Sequence, residues 1–221
     1  MRIGVLGGTG PAGQGVAVRL AALGHDVILG SRDRQRAEEI VGELKSHWGD
    51  RVKTLESGTN PQAAEAELVV IATVAEAAIA TASYVADKLD GTIVISMANG
   101  LEKRGREFRC VVPPEGSIAE AIQAAAPGAK VVAALQHVPA AALGDLDGEL
   151  QSDVLVAADD DDARILVLDL IDSIPGLRAF DGGSLHNARG IEAVAAALLT
   201  VNLRHQGEAT LRITGAGKRK Q

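Results

Sequence analysis

The chain has 221 residues, which is enough for one sizeable domain, or for one domain with a small appendage. Hydrophobic residues make up 47% of it but aromatic residues only 2%, so the core must be built from Ala, Val, Leu and Ile. The formal net charge of -7 argues against a nucleic-acid-binding surface, and no uninterrupted apolar stretch approaches the ~20 residues of a membrane-spanning helix.

From the N-terminus onward, short apolar runs alternate with segments of helical periodicity. The apolar runs predict buried strands at 2–6, 26–29, 68–73, 92–96, 130–135 and 153–157. Helical spacing predicts helices at 11–23, 34–47, 75–89, 117–126, 161–174 and 184–205. This βαβα alternation predicts an α/β fold with a Rossmann-type, doubly wound parallel sheet. Because this alternation of strands and helices changes after Pro139, we expect a first domain at 1–139, a small C-terminal α+β part at 140–214 and a disordered tail at 215–221.

A glycine pattern directly follows the first predicted strand and opens the first helix. Gly8, Gly10 and Gly13 fit G-x-G-x-x-G, the fingerprint of a loop that binds the pyrophosphate of a dinucleotide. In such a loop the first glycine makes the tight turn, the second lets the ligand approach the backbone, and the third allows close helix–strand packing. The pyrophosphate then lies at the helix N-terminus, where backbone N–H groups and the helix dipole favour negative charge. The first predicted domain is therefore a dinucleotide-binding domain.

The end of the second predicted strand distinguishes the two nicotinamide dinucleotides. NAD-binding domains usually carry a carboxylate there for the ribose hydroxyls, but this chain has Ser31 and Arg32, and Asp33 is expected to cap the next helix. A hydroxyl and a guanidinium suit a 2′-phosphate, because arginine makes two parallel charge-assisted hydrogen bonds to phosphate oxygens. Arg36, one turn further, is expected on the same side, and Arg34 is expected to point elsewhere. The predicted ligand is NADP(H).

Several stretches along the chain resemble the coenzyme F420-dependent NADP reductases, which are deazaflavin:NADP oxidoreductases. They are RIGVLGGTGPAGQGVAVRLAALGHDVILGSR, TIVISMANG, GSIAEAI, KVVAALQHVPAAALGDL and LRAFDGGSLHNARGIEAVAAALLTVNLRHQG. The resemblance covers nearly the whole chain, in order and without large gaps. The GGTG start is shared with other NADP-binding proteins, including ferric reductase domains, whereas the VPAA and D-x-G-x-L-x-N-A-R segments are more particular to this family.

The resemblance implies an enzyme that moves a hydride between carbon 5 of coenzyme F420 and carbon 4 of the nicotinamide. It also suggests a homodimer, and the apolar helix segment at 191–203 offers a surface for one. The cofactor-binding residues it implies are Gly8, Thr9, Gly10, Pro11, Ala12 and Gly13 at the pyrophosphate; Ser31, Arg32 and Arg36 at the 2′-phosphate; and Thr73, Val74, Ala75, Asn99, Val138, Pro139, Ala140 and Leu211 around the two rings.

Two places depart from the family pattern. Val74-Ala75 follow the central strand, where many members have a proline and a bulky aromatic residue, and this leaves a wider floor. Gln136-His137 precede Pro139, where a His-Thr pair is common. His137 is the candidate catalytic residue, as a polar group that supports the ring system; the other interpretation is a loop histidine whose hydrogen bonds are already satisfied. Both departures lie around the rings, so they bear on the identity of the second substrate more than on the NADP site.

Three functions remain open at this point: the F420:NADP hydride transferase, an NADPH-dependent reductase of a small imine or ketone, and a non-enzymatic NADP-binding sensor. No metal is expected, because the four consecutive carboxylates at 159–162 cannot all point inward and suit a solvated helix start. Cys110 is the only cysteine, which excludes an intrachain disulfide and favours a reducing, cytoplasmic environment. The expected partners are small-molecule cofactors and a second copy of the chain, with no nucleic acid and no membrane.

Overall fold

A computed structural model describes residues 1–217 of the chain, and one mixed sheet organises them. The strands are β1 (Arg2–Leu6), β2 (Asp26–Ser31), β3 (Leu55–Thr59), β4 (Leu68–Ile71), β5 (Ile93–Ser96), β6 (Leu101–Arg104), β7 (Glu107–Cys110), β8 (Lys130–Ala133), β9 (Ser152–Ala158) and β10 (Leu177–Asp181). The helices are α1 (Pro11–Ala22), α2 (Arg34–Trp48), α3 (Asn60–Ala63), α4 (Ala75–Tyr84), α5 (Ile118–Ala125), α6 (Ala140–Gly144), α7 (Asp161–Asp172) and α8 (Ala188–His205).

The main sheet has eight strands in the order β10-β9-β8-β5-β4-β1-β2-β3. The six strands from β8 to β3 are parallel to one another, β9 is antiparallel to β8, and β10 is parallel to β9. The strand order reverses between β1 and β4, and ligands of doubly wound sheets bind at such a point, outside the carboxyl ends of the strands. The predicted α/β, Rossmann-type class is confirmed.

Apolar residues cover both faces of this sheet, as the continuous apolar strands predict. One buried cluster contains Val5, Leu29 and Val70 under α1 and α2, and the other contains Leu6, Ile71 and Val94 under α4 and α5. The side chains are almost all aliphatic. The sheet therefore forms a rigid base, and the loops at its carboxyl edge are left to carry function.

The segments after Pro139 continue the same sheet. Strands β9 and β10 extend it beyond β8, α7 connects them, and α8 packs against a separate two-stranded hairpin formed by β6 and β7. The boundary predicted at 139 lies in the connection between β8 and β9 and stays a prediction. The tail predicted to be disordered spans 215–221, and residues 218–221 of it lie outside the described residues.

Candidate functional site

A cleft of about 1190 Å³ lies at the carboxyl edge of the sheet, beside the point where the strand order reverses. Loops that follow β1, β2, β4 and β5 form its walls, together with the start of the β6–β7 hairpin. Of the residues predicted from the sequence, the cleft is lined by Thr9, Gly10, Pro11, Ala12, Ser31, Arg32, Arg36, Thr73, Val74, Ala75 and Asn99. The lining does not include Gly8, Gly13, His137, Val138, Pro139, Ala140 or Leu211.

The glycine loop, residues 7–13, combines a tight turn, an open position and close packing against the sheet. Gly8 lies inside the turn that the amide of Gly10 closes on Gly7 O, and the residue of this turn with a left-handed backbone is Gly7, with φ +67°. A Cβ on Gly8 would lie 2.7 Å from Cγ of Leu29, and a Cβ on Gly13 would lie 2.6 Å from Cα of Gly8. Gly8 and Gly13 are therefore required for close packing of α1 on the sheet. A Cβ on Gly10 would meet nothing within 4 Å, because this position opens on the cleft.

Helix α1 begins at the cleft with its backbone donors available. Its N-cap, Gly10, has no side-chain capping bond, Pro11 takes the first helical position, and no acidic residue lies in the first turn. The amide of Gln14 makes the bond to Gly10 O (2.9 Å), and the Gln14 side chain donates to Thr9 O (2.8 Å) and thereby fixes the loop. The amides of Ala12 and Gly13 precede that first helical bond. This helix start fits a pyrophosphate.

The end of β2 brings cationic side chains to one end of the cleft. Ser31 is 6% exposed and its Oγ accepts from the amide of Asp33, at 3.1 Å. Asp33 caps α2, as predicted, by accepting from the amide of Arg36 at 3.2 Å. Arg32 and Arg36 line the cleft, whereas Arg34 pairs with Glu38 (2.9 Å) on the helix surface and is not part of the lining. This end of the cleft fits an anion such as a ribose 2′-phosphate.

Asn60 supports the glycine loop from a distant part of the sequence. Its Oδ1 accepts from the amide of Gly7, at 3.1 Å, and the residue is 3% exposed. It starts α3, where Thr59 and Gln62 form a capping box. Sequence reasoning missed Asn60. The T-x-x-Q pattern could have indicated the helix start, but not the contact 53 residues away.

Buried polar atoms without a hydrogen-bond partner cluster where β5 and β8 end. The side-chain amide of Asn99 donates to Gln136 O (2.9 Å) and so joins the two strand ends. Among the described residues, Ser96 Oγ, Asn99 Oδ1, both side-chain polar atoms of Gln136 and both ring nitrogens of His137 have no partner in the protein. Leu135, which begins this turn, has φ +69°, a conformation that costs a branched residue about 1 kcal/mol or more. Such strain and unsatisfied polarity are typical of ligand sites.

His137 is 5% exposed, and burial lowers its pKa from 6.5 to about 4. The imidazole is therefore neutral at pH 7 and can act only as a dipole, not as a cation. Both ring nitrogens of His137 are buried without a hydrogen-bond partner from another part of the protein, and its role beside the rings stays a prediction. The next residues, Val138 and Pro139, lead directly into α6, which begins at Ala140.

Leu211 is bonded to the start of β9 and lies outside the cleft lining. Its carbonyl accepts from the amide of Asp153 (2.9 Å), at the start of β9. Strand β9 is antiparallel to β8, with Ala157 opposite Ala133, so Asp153 is level with the residues that follow β8. Leu211 and the turn at 135–138 are thus brought to the same part of the sheet edge.

A buried carboxylate, also missed from the sequence, fixes another part of the cleft wall. Glu192 on α8 is 1% exposed and accepts from the amides of Ile118 (3.1 Å) and Ala119 (3.2 Å) at the start of α5. Burial raises the pKa of Glu192. Because Ile118 lines the cleft, this contact ties α8 to the site. The only signal in the sequence is a single acid within an Ala- and Leu-rich helix.

Residues 1–217 were also compared with the requirements of a membrane-spanning helix and of a metal site, and they meet neither. In this part of the chain, no helix is both long enough and apolar enough to cross a membrane. Among the same residues, no three His, Cys, Asp or Glu side chains come together as a metal site would require. Asp160, within the acidic run, instead caps α7 by accepting from the amide of Ala163 at 2.8 Å.

Comparison with known proteins adds evidence on the family. Residues 2–100 match the family described as NADP oxidoreductase coenzyme F420-dependent. The F420-dependent NADP reductase of Methanocaldococcus jannaschii is 35% identical over 220 residues, which is 97% of this chain and 98% of the relative. The enzyme of the same name from Methanothermobacter marburgensis is 36% identical over 223 residues, with the same two coverages of 97% and 98%. A crystal structure from Arthrobacter sp. FB24, provisionally described as an F420-dependent NADP-reductase, is similar at a TM-score of 0.81 and 29% identity, covering 97% of this chain and 99% of that one.

Proposed function

The chain belongs to the family of F420-dependent NADP reductases, and from this we propose that it is an oxidoreductase that transfers a hydride between NADP(H) and coenzyme F420. The observation that carries the proposal is the similarity over nearly the full length of both chains. The cleft is consistent with it, because it combines an open helix N-terminus with two arginines.

The NADP(H) part of the proposal uses the glycine loop and the end of β2. The amides at the start of α1 bind the pyrophosphate, where Gly10 leaves room and Thr9, Pro11 and Ala12 line the wall. Gly8 and Gly13 act indirectly, by letting α1 pack closely on the sheet. At the other end, Ser31, Arg32 and Arg36 bind the 2′-phosphate, and this selects NADP(H) over NAD(H).

We propose that the residues that follow β4, β5 and β8 form the ring end of the site, where the nicotinamide and the deazaflavin bind. The two cofactors supply the hydride chemistry themselves when bound, so the protein needs only to hold, orient and shield them. We assign the walls around the rings to Thr73, Val74, Ala75, Asn99, Val138, Pro139, Ala140 and Leu211. His137 supports the rings as a neutral polar group, since its lowered pKa removes a positive charge at pH 7.

We also propose a homodimer in the cytoplasm. Val194, Ala197, Leu198 and Val201 form a stripe at helical spacing on α8 that the rest of the subunit leaves partly or fully exposed, and Val201 is 41% exposed. A second copy of this helix would cover the stripe. The cytoplasmic location is supported by a single cysteine, Cys110, which has no partner cysteine for a disulfide.

The alternatives from the sequence were a reductase of a small imine or ketone and a non-enzymatic sensor. The full-length similarity to F420-dependent NADP reductases favours neither. The test is to mix the protein with NADPH and oxidised F420 and to follow the visible absorbance band of the deazaflavin. Loss of that band at a catalytic enzyme concentration is the expected result. Turnover of NADPH only with an added imine or ketone, or binding of NADPH without any turnover, would overturn the proposal.

A further inference from the structure

The last part of the described chain runs back over the carboxyl edge of the sheet. Helix α8 ends at His205, and its C-cap, Gln206, has a left-handed backbone with φ +55°. The amide of Ala209 donates to Oδ1 of Asn202, at 2.5 Å, which fixes the returning chain to the helix. We name residues 209–213 the C-terminal strap.

The strap takes the place beside β9 that β8 leaves free. Along the start of β9, the amide of Ser152 donates to Gly176 O (3.1 Å), on the side of β10. Successive amides of a strand point to opposite sides, so the amide of Asp153 points away from β10, and it donates to Leu211 O. Strand β8 has already ended at Ala133, and the chain has turned away at Leu135. The strap therefore lies beside the turn at 135–138.

The Asp153 side chain is the anchor of the strap. It is fully buried, and its carboxylate accepts from Arg178 at Nε (2.7 Å) and Nη2 (2.5 Å), from Arg212 Nη1 (3.1 Å) and from the amide of Ile213 (2.5 Å). Arg178 also donates to Ile213 O, at 3.2 Å. All four lone-pair directions of the carboxylate are in use, and two of its donors belong to the strap.

The charge of this anchor is stable near neutral pH. Burial acts to raise the pKa of Asp153, but hydrogen bonds from Arg178, from the Ile213 amide and from Arg212 together hold it below the ordinary value. A fully buried carboxylate paired with arginine makes a directional contact rather than a loose surface ion pair. The strap is thus held in one register, with Leu211 fixed beside the turn that carries Gln136 and His137.

We propose that Asp153 is a positioning residue for the second substrate: it holds the strap so that Leu211 forms one wall of the ring-binding end of the site. This inference rests on the proposed function, since the second substrate is taken to be the deazaflavin. The strap should act on only one of the two ends of the site, because in the described contacts it touches neither the glycine loop nor the end of β2. Loosening the strap should therefore weaken binding of the deazaflavin and leave binding of NADPH unchanged.

The test uses Arg212→Ala in the full chain. The Arg212 side chain is 41% exposed, and its removal leaves Asp153 paired with Arg178, so the variant should fold. The matched control is Arg51→Ala, whose side chain is 46% exposed and pairs with Asp147 (2.6 Å) away from the cleft. Asp153→Asn provides a second, stronger variant, and Arg212→Lys tests rescue by a conserved charge.

The readouts are the KM for F420, the Kd for NADPH and amide hydrogen exchange of the strap. For Arg212→Ala we expect faster exchange at Ile213 and a KM for F420 raised about five- to tenfold, from the loss of one charge-assisted contact. The Kd for NADPH should stay within about twofold, the Arg51→Ala control should behave as wild type, and Arg212→Lys should recover most of the KM.

Several results would overturn the inference. One is faster exchange of the strap with an unchanged KM for F420, and another is unchanged exchange in both Arg212→Ala and Asp153→Asn. A parallel rise of the KM for F420 and the Kd for NADPH would point to general loosening and would also contradict it. If the wild-type protein does not reduce F420 at all, the proposed function fails and the inference with it, whereas the other results remove the inference alone.

Discussion

The side-chain amide of Asn99 donates to the backbone carbonyl of Gln136 at 2.9 Å, and this bond joins the ends of two neighbouring strands at the site. It links the wall of the cleft, which Asn99 lines, to the buried polar turn that contains His137. The dinucleotide end and the ring end of the proposed site are therefore built on one rigid sheet edge. A shared edge of this kind is what hydride transfer between two bound carriers requires, since the reaction depends on their relative position.

Dinucleotide selectivity should depend on Arg32. Arg32→Ala removes a charge-assisted contact of about 1.5–3 kcal/mol, so we expect NADPH to bind about tenfold more weakly or worse, with little change for NADH. The matched control is Arg34→Ala, because Arg34 pairs with Glu38 outside the cleft lining. Binding titrations with both dinucleotides measure the effect. Equal losses for NADPH and NADH would show that no 2′-phosphate is recognised there.

Gly10 and Gly13 should respond differently to a side chain. Gly10 opens on the cleft and has φ -81°, so Gly10→Val should fold, with the modest loss of stability of a poorer N-cap, and lose binding of both dinucleotides. Gly13→Ala should instead lower the free energy of unfolding, because its Cβ would lie 2.6 Å from Cα of Gly8. Thermal unfolding and NADPH titration separate the two effects. Tight NADPH binding by a folded Gly10→Val variant is incompatible with the proposed pyrophosphate site.

His137 should make the stability of the protein depend on pH. Its pKa is lowered from 6.5 to about 4 in the folded state, so its contribution is fully present above pH 6.5 and is lost as the pH falls from 6.5 to 4. This lowering of the pKa corresponds to a loss of about 3 kcal/mol in the free energy of unfolding at low pH. His137→Gln keeps a polar side chain that does not titrate, so it should lose less stability than wild type between pH 7 and pH 4.5. Urea unfolding at both pH values gives the comparison, and identical pH dependence of the two proteins would rule out a buried neutral histidine.

The exposed stripe on α8 should mediate dimer formation. Val201→Asp places a charge in the stripe, and we expect it to convert a dimer into a monomer without loss of the fold. Ile165→Asp on α7 is the control, since Ile165 is also an exposed apolar residue, at 51%, on another surface. Multi-angle light scattering measures the mass. A wild-type protein that stays monomeric at all accessible concentrations would refute the dimer.

The parts of the fold that local patterns specify could be predicted from the sequence. The run at 2–6 is followed by glycines, and the runs around Val70 and Val131 are almost entirely apolar, so their strands are buried on both faces and are easily recognised. Strand β3 was missed because it reads LESGT and lies at the edge of the sheet, where polar residues are tolerated. The β6–β7 hairpin was missed because its segment, LEKRGREFRC, is charged and mostly exposed.

Contacts between distant segments could not be predicted from local patterns in the sequence. Nothing local to Asn60 indicates that it accepts from Gly7, and nothing near Asp153 indicates that it anchors residues 211–213. The glycine loop shows the same limit at short range: the motif identifies the loop, but only the backbone dihedral angle shows that Gly7 is the left-handed residue. The positive φ of Leu135 has no signal in the sequence, because leucine does not favour that conformation.

Direct hydride transfer between the two cofactors can be followed with an isotope. NADPH carrying deuterium at carbon 4, in the position that the enzyme transfers, is mixed with oxidised F420 and the protein in ordinary water. We expect the deuterium at carbon 5 of the reduced F420. Deuterium released to water, or no reduction of F420 while an added imine is reduced, would contradict it.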